Sequence, residues 1–348
     1  MNCRAQLMIG LLGCLSQCGC FELQQGTERP APPPLSASLR ESFTRPDYST
    51  VTAREIEVEM CRDYRRVRFE LTAPAMPRGT NPVVFDYYQL PAKRSPVILI
   101  LPIAGGARYQ AEEIFARYFA RHGFASIIAH RWKTPHEFDL GTVDRWLRVS
   151  VEENQMVLDW AGSRPELDNG RIGLFGISMG GIRGVLLAAL DPRIKASALG
   201  LAGGDLAAIL AHSTDPGIRQ RREEVLRKTG WTTDEFEAKL RESIMSEPNV
   251  FATHIDPHCV LLVLGVFDHV VPFKQGWELR EHLGKPETIL LPTGHLTAVL
   301  AIPMIQMQSV EFFETRMGLS SRANERHDVL KKQAVARHEI LNRFKPTS

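Results

Sequence analysis

The chain has 348 residues, of which 44% are hydrophobic and 24% charged, and its formal net charge is +2. This composition is typical of a soluble globular protein, and the length suffices for one large hydrophobic core. The near-neutral charge balance argues against the strongly basic field with which proteins bind nucleic acids. We therefore expect one main globular domain and no nucleic-acid partner.

The first twenty residues resemble an export signal. Arg4 precedes an apolar segment, residues 7–13, which is too short to span a bilayer but suits the apolar core of a signal peptide. Leu11-Leu12-Gly13-Cys14 is similar to a bacterial lipobox, in which the cysteine becomes lipid-modified. We predict that residues 1–20 are a signal peptide or lipoprotein leader of an exported protein, with Cys14 as the candidate membrane attachment. A cysteine-rich leader on a cytoplasmic protein is the alternative.

Two further segments differ in composition from the main domain. Residues 21–50 include four prolines, at positions 30, 32, 33 and 34, which predict an extended linker. Residues 319–348 form a basic, polar tail, which favours a solvated and partly disordered helix. Beyond the leader only Cys61 and Cys259 remain, and the sequence leaves open whether they pair. No cysteine pair has the spacing of zinc ligands, so we expect no structural metal.

Residues 51–318 have the pattern of an α/β domain. Apolar and charged residues alternate over 56–60 and 67–71, which predicts half-exposed antiparallel strands, and 83–90 is a further strand candidate. The continuous apolar segment 96–101 suits a strand buried on both faces of a parallel sheet. Strands and helices then alternate: strands are expected at 124–129, 171–175, 194–200, 259–265 and 287–291, and helices at 110–121, 142–160, 179–190, 274–283 and 296–317, the last interrupted by Pro303. This alternation predicts a mostly parallel sheet with helices on both faces and an antiparallel edge.

The segment 203–256 interrupts the alternation because it contains no convincing strand. Residues 216–228 and 233–245 read as helices, and Thr232 with Glu235 forms a possible capping box at the start of the second. A crossover between parallel strands needs far fewer residues. We therefore predict a helical lid insertion over the carboxyl ends of the strands, with a long helical crossover as the alternative.

Gly176-Ile177-Ser178-Met179-Gly180 matches the nucleophile elbow G-x-S-x-G, and it lies between a predicted strand and a predicted helix. A serine hydroxyl is a poor nucleophile, so it must be exposed beside a base, and a sharp turn with small flanking residues achieves this. The start of the helix adds positive potential where an oxyanion would develop. Ser178 is therefore the candidate nucleophile.

Asp268 and His295 are the candidate partners of this serine. Asp268 follows the predicted strand 259–265, and His295 lies in the turn after the last predicted strand. The order serine, aspartate, histidine is the one that α/β-hydrolases use. Asp205 is an alternative acid, and His130 lies at the end of a strand on the same sheet edge, where it contacts either substrate or a loop carbonyl.

Residues 96–317 resemble the α/β-hydrolase superfamily, and within it dienelactone hydrolases and acetyl esterases, on the segments 168–181, 265–272 and 294–295. The resemblance implies an α/β-hydrolase fold with an eight-stranded sheet, a Ser178-Asp268-His295 triad and action without cofactor. It also implies an oxyanion hole made of the Met179 and Ala104 backbone N–H groups. Ile103 is a close alternative to Ala104, because the family's usual His-Gly is replaced by Pro102-Ile103 in this chain.

The expected reaction is hydrolysis of a small-molecule carboxylic ester or lactone through an acyl-enzyme on Ser178. The motifs do not distinguish this reaction from that of a peptidase, thioesterase or acyltransferase with the same site. A catalytically inactive hydrolase fold that serves as a binding protein is an alternative from a different class.

Overall fold

The structure is a computed structural model that describes residues 21–23, 34–43, 51–73, 82–91, 94–105, 109–130 and 140–319. The predicted leader with Cys14, most of the predicted linker 21–50 and all but the first residue of the predicted tail 319–348 lie outside these ranges.

One mixed sheet of ten strands forms the centre of the molecule. Its strands are β1 (Phe21–Leu23), β2 (Thr52–Met60), β3 (Arg65–Thr72), β4 (Val83–Gln89), β5 (Ser95–Leu101), β6 (Ala125–Ala129), β7 (Leu167–Ile177), β8 (Ile194–Gly200), β9 (Val260–Gly265) and β10 (Glu287–Leu291). Their order is β1-β10-β9-β8-β7-β5-β6-β4-β3-β2. In this order, the neighbouring strands from β10 through β9, β8, β7 and β5 to β6 run parallel. At one end β1 pairs antiparallel with β10, and at the other end β4, β3 and β2 follow β6 in antiparallel pairs. The prediction of eight strands is therefore wrong in number, because β1 and β2 extend the two edges.

The antiparallel portion of the sheet agrees with the predicted alternation, except at its outermost strand. In β3 the apolar residues Val67, Phe69 and Leu71 are buried. In β2, by contrast, all nine residues are exposed, although half-exposure was expected. The reason is its position, since β2 is the edge strand and pairs only with β3. Ion pairs to β3 hold its acidic residues, as between Glu57 and Arg68 at 2.7 Å.

Helices cover both faces of the sheet. They are α1 (Ala37–Ser42), α2 (Gln110–Arg121), α3 (Leu140–Gly162), α4 (Met179–Leu190), α5 (Leu206–His212), α6 (Pro216–Thr229), α7 (Thr233–Ser243), α8 (Pro248–Ala252), α9 (Phe273–His282) and α10 (Ile302–Arg316). Side chains of β5 alternate between two cores: Ile98 and Ile100 belong to the core with α2 and α10, and Leu99 to the core with α3 and α4. No helix in the described part of the chain has the length and apolarity to cross a membrane.

Helices α5 to α8 occupy the segment 203–256, where helices and no strand were predicted. The predicted capping box is present: the Thr232 side chain accepts from the Glu235 N–H, and the Glu235 carboxylate accepts from the Thr232 N–H. We expected Pro303 to interrupt a helix over residues 296–317. It lies instead in the first turn of α10, after the short 3-10 helix Thr297–Ala301. Proline is tolerated there because the first N–H groups of a helix have no acceptor within the helix.

Candidate active site

Ser178 occupies the sharp turn between β7 and α4. Its backbone has φ 56° and ψ −124°, a positive-φ conformation that residues other than glycine rarely adopt. The Ser178 N–H donates to the Gly200 carbonyl at 2.8 Å, and the Ser178 carbonyl accepts from the Ile182 N–H at 3.0 Å. These two hydrogen bonds hold the strained turn against β8 and α4.

Small residues on both sides of Ser178 permit this turn. A Cβ atom on Gly176 would collide with the Gly180 carbonyl, and one on Gly180 would collide with the Leu101 carbonyl at the end of β5. Backbone thus packs directly on backbone where β5, β7 and α4 meet. The spacing G-x-S-x-G is therefore a packing requirement of the turn that presents the serine.

His295 and Asp268 meet Ser178 from the loops that follow β10 and β9. His295 Nε2 lies 2.9 Å from Ser178 Oγ, and His295 Nδ1 lies 2.6 Å from Asp268 Oδ2. Asp268 is 3% exposed, so its carboxylate is shielded from water. The three side chains form a continuous hydrogen-bonded row, although they are far apart in the sequence.

The loop that carries Asp268 is fixed by its own backbone and by the loop of His295. Asp268 Oδ1 accepts from the Val270 N–H at 2.8 Å and from the Val271 N–H at 3.0 Å, which leaves Oδ2 to bind the histidine. The Phe267 N–H donates to the Thr293 carbonyl at 3.0 Å and so connects the two loops. The carboxylate and the imidazole are thereby held in fixed relative positions.

The loop after β5 is fixed by two buried charged side chains. The Ile103 N–H donates to Glu112 Oε1 at 2.8 Å, and the Arg183 guanidinium donates to the Pro102 carbonyl. Arg183 is 2% exposed and Glu112 is 4% exposed. Arg183 Nε also lies 3.4 Å from the carbonyl oxygen of Met179, the residue after Ser178. One arginine therefore contacts both backbone segments that flank the serine.

Aromatic and acidic side chains of α3 surround this arginine. The Arg183 guanidinium carbon lies 5.1 Å from the centre of the Trp146 ring, within cation–π range. Burial raises the pKa of the Glu153 carboxyl from its usual 4.5 to about 7, although the neighbouring Arg183 charge acts to lower it. The site thus contains a fixed positive charge that is partly balanced by a carboxyl group titrating near neutrality.

The described residues contain no candidate metal site. No group of three or more His, Cys, Asp or Glu side chains there is arranged to hold a metal ion. Cys61 and Cys259 are both free thiols, so the question of their pairing is answered in this structure.

Solved structures of esterases and peptidases resemble the chain over most of its length. The acetyl xylan esterase from Paenibacillus sp. R4 is 16% identical, with a TM-score of 0.58 over 78% of this chain and 92% of that chain. Acetyl xylan esterase 1 from Thermoanaerobacterium sp. JW/SL YS485 is 17% identical, with a TM-score of 0.56 over 82% and 96%. The Pyrococcus horikoshii acylaminoacyl peptidase is 16% identical, with a TM-score of 0.53 over 74% and 42%. The chain has the α/β-hydrolase fold.

A family match supports the same identification from the sequence. Residues 86–203 match the model of the dienelactone hydrolase family. A search of curated proteins found no match. The structural likenesses, at 16–17% identity, show the fold alone. The family match supports a hydrolase of esters or related substrates.

The two alternative site residues, Asp205 and His130, have other partners. Asp205 caps α5 by accepting from the Ala208 N–H, and its second oxygen lies 2.6 Å from Arg241. His130 Nε2 lies 3.2 Å from Asp86 Oδ2, and its ring stacks on Tyr109 with centroids 4.3 Å apart. The neighbour of the His130 ring is thus the buried Asp86 carboxylate, and a contact of His130 with substrate remains a prediction.

Two residues of the candidate site, Glu112 and Arg183, were not predicted from the sequence. Both lie on predicted helices at positions whose neighbours one turn away are apolar, such as Phe115 and Leu186. A charged residue on an otherwise buried helical face is the signal that points to them. Their partners, however, are backbone groups, which carry no signature in a sequence.

Proposed function

We propose that this α/β-hydrolase cleaves carboxylic esters or lactones through an acyl-enzyme on Ser178. The observation that carries the proposal is the hydrogen-bonded row of Ser178, His295 and Asp268, with distances of 2.9 Å and 2.6 Å. A neutral imidazole at hydrogen-bond distance from a serine hydroxyl can remove its proton during attack. The buried carboxylate holds the tautomer in which Nε2 is free to accept.

In the proposed reaction, Ser178 Oγ attacks the ester carbonyl carbon while its proton passes to His295 Nε2. The new C–O bond gives a tetrahedral oxyanion, and its collapse breaks the bond to the alcohol, which leaves with the proton from His295. Water then repeats the sequence on the acyl-enzyme, so that the acid is released and Ser178 regains its proton. Asp268 stabilises the imidazolium in both halves.

Two backbone N–H groups are proposed to stabilise the oxyanion. Met179 is the first residue of α4, where N–H groups have no acceptor within the helix and the helix dipole is positive. For the second donor, the Ile103 N–H already donates to Glu112, which favours Ala104 over Ile103. Ala104 is exposed at the start of the loop after β5, where a substrate oxygen can reach it.

We further propose that the helical segment 203–256 covers the site and selects the substrate. It leaves β8 at the carboxyl edge of the sheet, where Ser178 also lies. Within it, the Thr214 N–H donates to the carbonyl of His269, the residue next to Asp268, at 3.0 Å. A helical element in this position excludes bulk water and contacts the acyl or alcohol group.

The test of the proposed function is the Ser178→Ala protein with p-nitrophenyl acetate as substrate. Because the alanine has no nucleophile, we expect kcat/KM to fall by about three orders of magnitude or more. Ser243→Ala is the matched control, since Ser243 is a partly exposed serine at the end of α7 whose hydroxyl donates to the Lys239 carbonyl of the same helix, and its rate should equal that of the parent.

A fluorophosphonate probe gives a second readout that does not depend on the choice of ester. It should label the parent and Ser243→Ala proteins and leave Ser178→Ala unlabelled. Parental rates in Ser178→Ala would rule out the nucleophile. A parent protein that is neither labelled nor active would instead support an inactive fold that serves in binding.

A further inference from the structure

Large exposed apolar side chains are concentrated beside His295. Twelve large hydrophobic residues are exposed in the described part of the chain, and six of them lie in the loop after β9 or in the segment from His295 into α10. Five of these six are more than half exposed, and we call them the apolar rim: Phe267 (61% exposed), Leu296 (81%), Val299 (59%), Leu300 (68%) and Met307 (51%). Three of the others, Ile56, Val58 and Met60, lie on the edge strand β2 at the opposite end of the sheet.

The apolar rim continues along the chain after His295. Leu296 caps the 3-10 helix Thr297–Ala301, Val299 and Leu300 lie within it, and Met307 follows in α10. Phe267 joins them because its N–H donates to the Thr293 carbonyl, two residues before His295. A patch of this kind on a soluble protein marks a surface that binds another apolar surface.

The same stretch of chain lacks charge. Between Glu287 and Glu311 the sequence contains no Asp, Glu, Lys or Arg, and His295 is its only titratable side chain. Protein partners are usually recognised by charged and polar groups around an apolar centre, which give specificity. An uncharged apolar surface instead fits a partner that is itself apolar and has no specific polar groups. The interior of a lipid layer is such a partner.

The chain also enters the sheet at this edge. In β1, Phe21 pairs with Leu290, one residue before the end of β10, and β1 runs antiparallel to β10. The strand β1 therefore begins at the same edge of the sheet as the loop that carries His295. A lipid attached at Cys14, as the leader predicts, would bring this side of the molecule to a membrane.

We propose that the apolar rim docks on a lipid surface and that the esters cleaved at Ser178 are held in that surface. The second half of the statement rests on the proposed function, whereas the docking does not. Insertion of the rim would remove its apolar area from water and would place the row of Ser178, His295 and Asp268 at the lipid boundary. The substrates would then be lipids or lipid-like esters of low solubility.

The test compares two triple variants of the full, unlipidated chain. The rim variant is Val299→Ser/Leu300→Ser/Met307→Ser, which leaves the residues next to Asp268 and His295 unchanged. The matched control is Ile56→Ser/Val58→Ser/Met60→Ser, because these side chains are 44%, 48% and 75% exposed. Binding to phosphatidylcholine vesicles is measured by co-sedimentation, and both variants carry the same leader.

We expect the rim variant to bind vesicles at least about tenfold more weakly than the parent, because each exposed side chain contributes to apolar burial. The control variant should bind within about twofold of the parent. Two rates are then compared: hydrolysis of a long-chain p-nitrophenyl ester held in vesicles, and hydrolysis of soluble p-nitrophenyl acetate. The ratio of the first rate to the second should fall by a similar factor in the rim variant and stay unchanged in the control variant.

Several results would overturn the docking proposal. These are a parent that does not bind vesicles, a rim variant that binds like the parent, and a rim variant that changes only the oligomeric state, which would assign the face to a second copy of the chain. Ser178→Ala distinguishes the two proposals, since it should bind vesicles like the parent. If hydrolysis proves independent of Ser178 while vesicle binding depends on the rim, the proposed function fails and the docking stands.

Discussion

The peptide unit between Pro102 and Ile103 is held from opposite sides by buried charged residues. The Arg183 guanidinium donates a hydrogen bond to the Pro102 carbonyl, and Glu112 Oε1 accepts one from the Ile103 N–H at 2.8 Å. Because both ends of this peptide plane are held, only the φ and ψ angles of Ile103 separate the fixed plane from the next N–H, that of Ala104. We infer that Arg183 is a positioning residue for the proposed oxyanion donors.

For Arg183→Met we expect kcat on p-nitrophenyl acetate to fall by about 10- to 100-fold with KM within about threefold, because displacement of an oxyanion donor affects the transition state more than the substrate. Inhibition by a boronic acid, which mimics the tetrahedral state, should weaken by the same factor. Arg183→Lys should recover part of the loss, since a lysine can still donate one hydrogen bond.

The control for this prediction is Arg193→Met. Arg193 is a partly buried arginine paired with Asp191 and Asp159 at the start of β8, the end of the sheet opposite to Ser178. Its loss should lower the melting temperature and leave kcat close to that of the parent. Equal losses of stability with no change of kcat in both variants would show that Arg183 is only structural.

At the scale of elements, the helical segment 203–256 is attached to the body by a few specific contacts. Asp144 of α3, which is 3% exposed, accepts from the Met245 N–H at 2.9 Å and from the Ser246 N–H at 2.7 Å. Glu247 accepts from the Asp205 N–H at 2.7 Å, and burial raises its pKa although backbone N–H groups oppose the shift. The Asp144 carboxylate thus attaches the segment to α3, while Glu247 joins the end of the segment to its start.

Asp144→Ala should release the end of α7 from α3. Two hydrogen bonds to a charged acceptor are lost, one of them from the fully buried Ser246, so we expect the free energy of unfolding to fall by about 2 kcal/mol. Hydrogen exchange should increase most within 203–256. Glu242→Ala, which removes an exposed ion pair with Lys239, should change the free energy by less than about 0.5 kcal/mol. Uniform exchange changes across the sheet would contradict the local attachment.

At the scale of the whole molecule, the sheet carries its parallel strands in the centre and antiparallel strands at both edges. The parallel strands bring Ser178, Asp268 and His295 to one edge because loops after parallel strands emerge on the same side. The two faces of the sheet are both covered, which buries β5, β6 and β9 and the later residues of β7 and β8 almost completely. Global stability therefore depends on the charged groups that lie under the covering helices.

Glu153 on α3 makes this stability depend on pH. Its pKa is raised from 4.5 to about 7, so the folded protein retains a proton that the unfolded chain releases between those values. The free energy of unfolding of the parent should consequently fall as the pH rises from about 4.5 to about 7, by on the order of 1 kcal/mol for a half-buried group. Above about pH 7 this group should cause no further loss. In Glu153→Gln this loss should be absent. Thermal melts of both proteins from pH 4.5 to 8 measure the difference, and parallel profiles would contradict the assignment.

The sequence by itself determined the elements whose causes are local. Strict alternation in β3, the apolar segment of β5 and the capping box at Thr232 each arise from residues a few positions apart, and all three were predicted. The glycines around Ser178 belong to the same class, because a tight turn requires small residues wherever it occurs. The fold class followed from the order of these elements, and the comparisons confirm it.

Only the tertiary structure decided the features that depend on residues distant in sequence. Three features have no local signature: the edge strand β1, the contact of Arg183 with a carbonyl 81 positions away, and the concentration of exposed apolar side chains beside His295. The proximity of Asp268 rather than Asp205 to His295 is of the same kind. Local sequence restricts backbone dihedral angles and burial patterns, whereas the meeting of distant groups depends on how all layers pack at once.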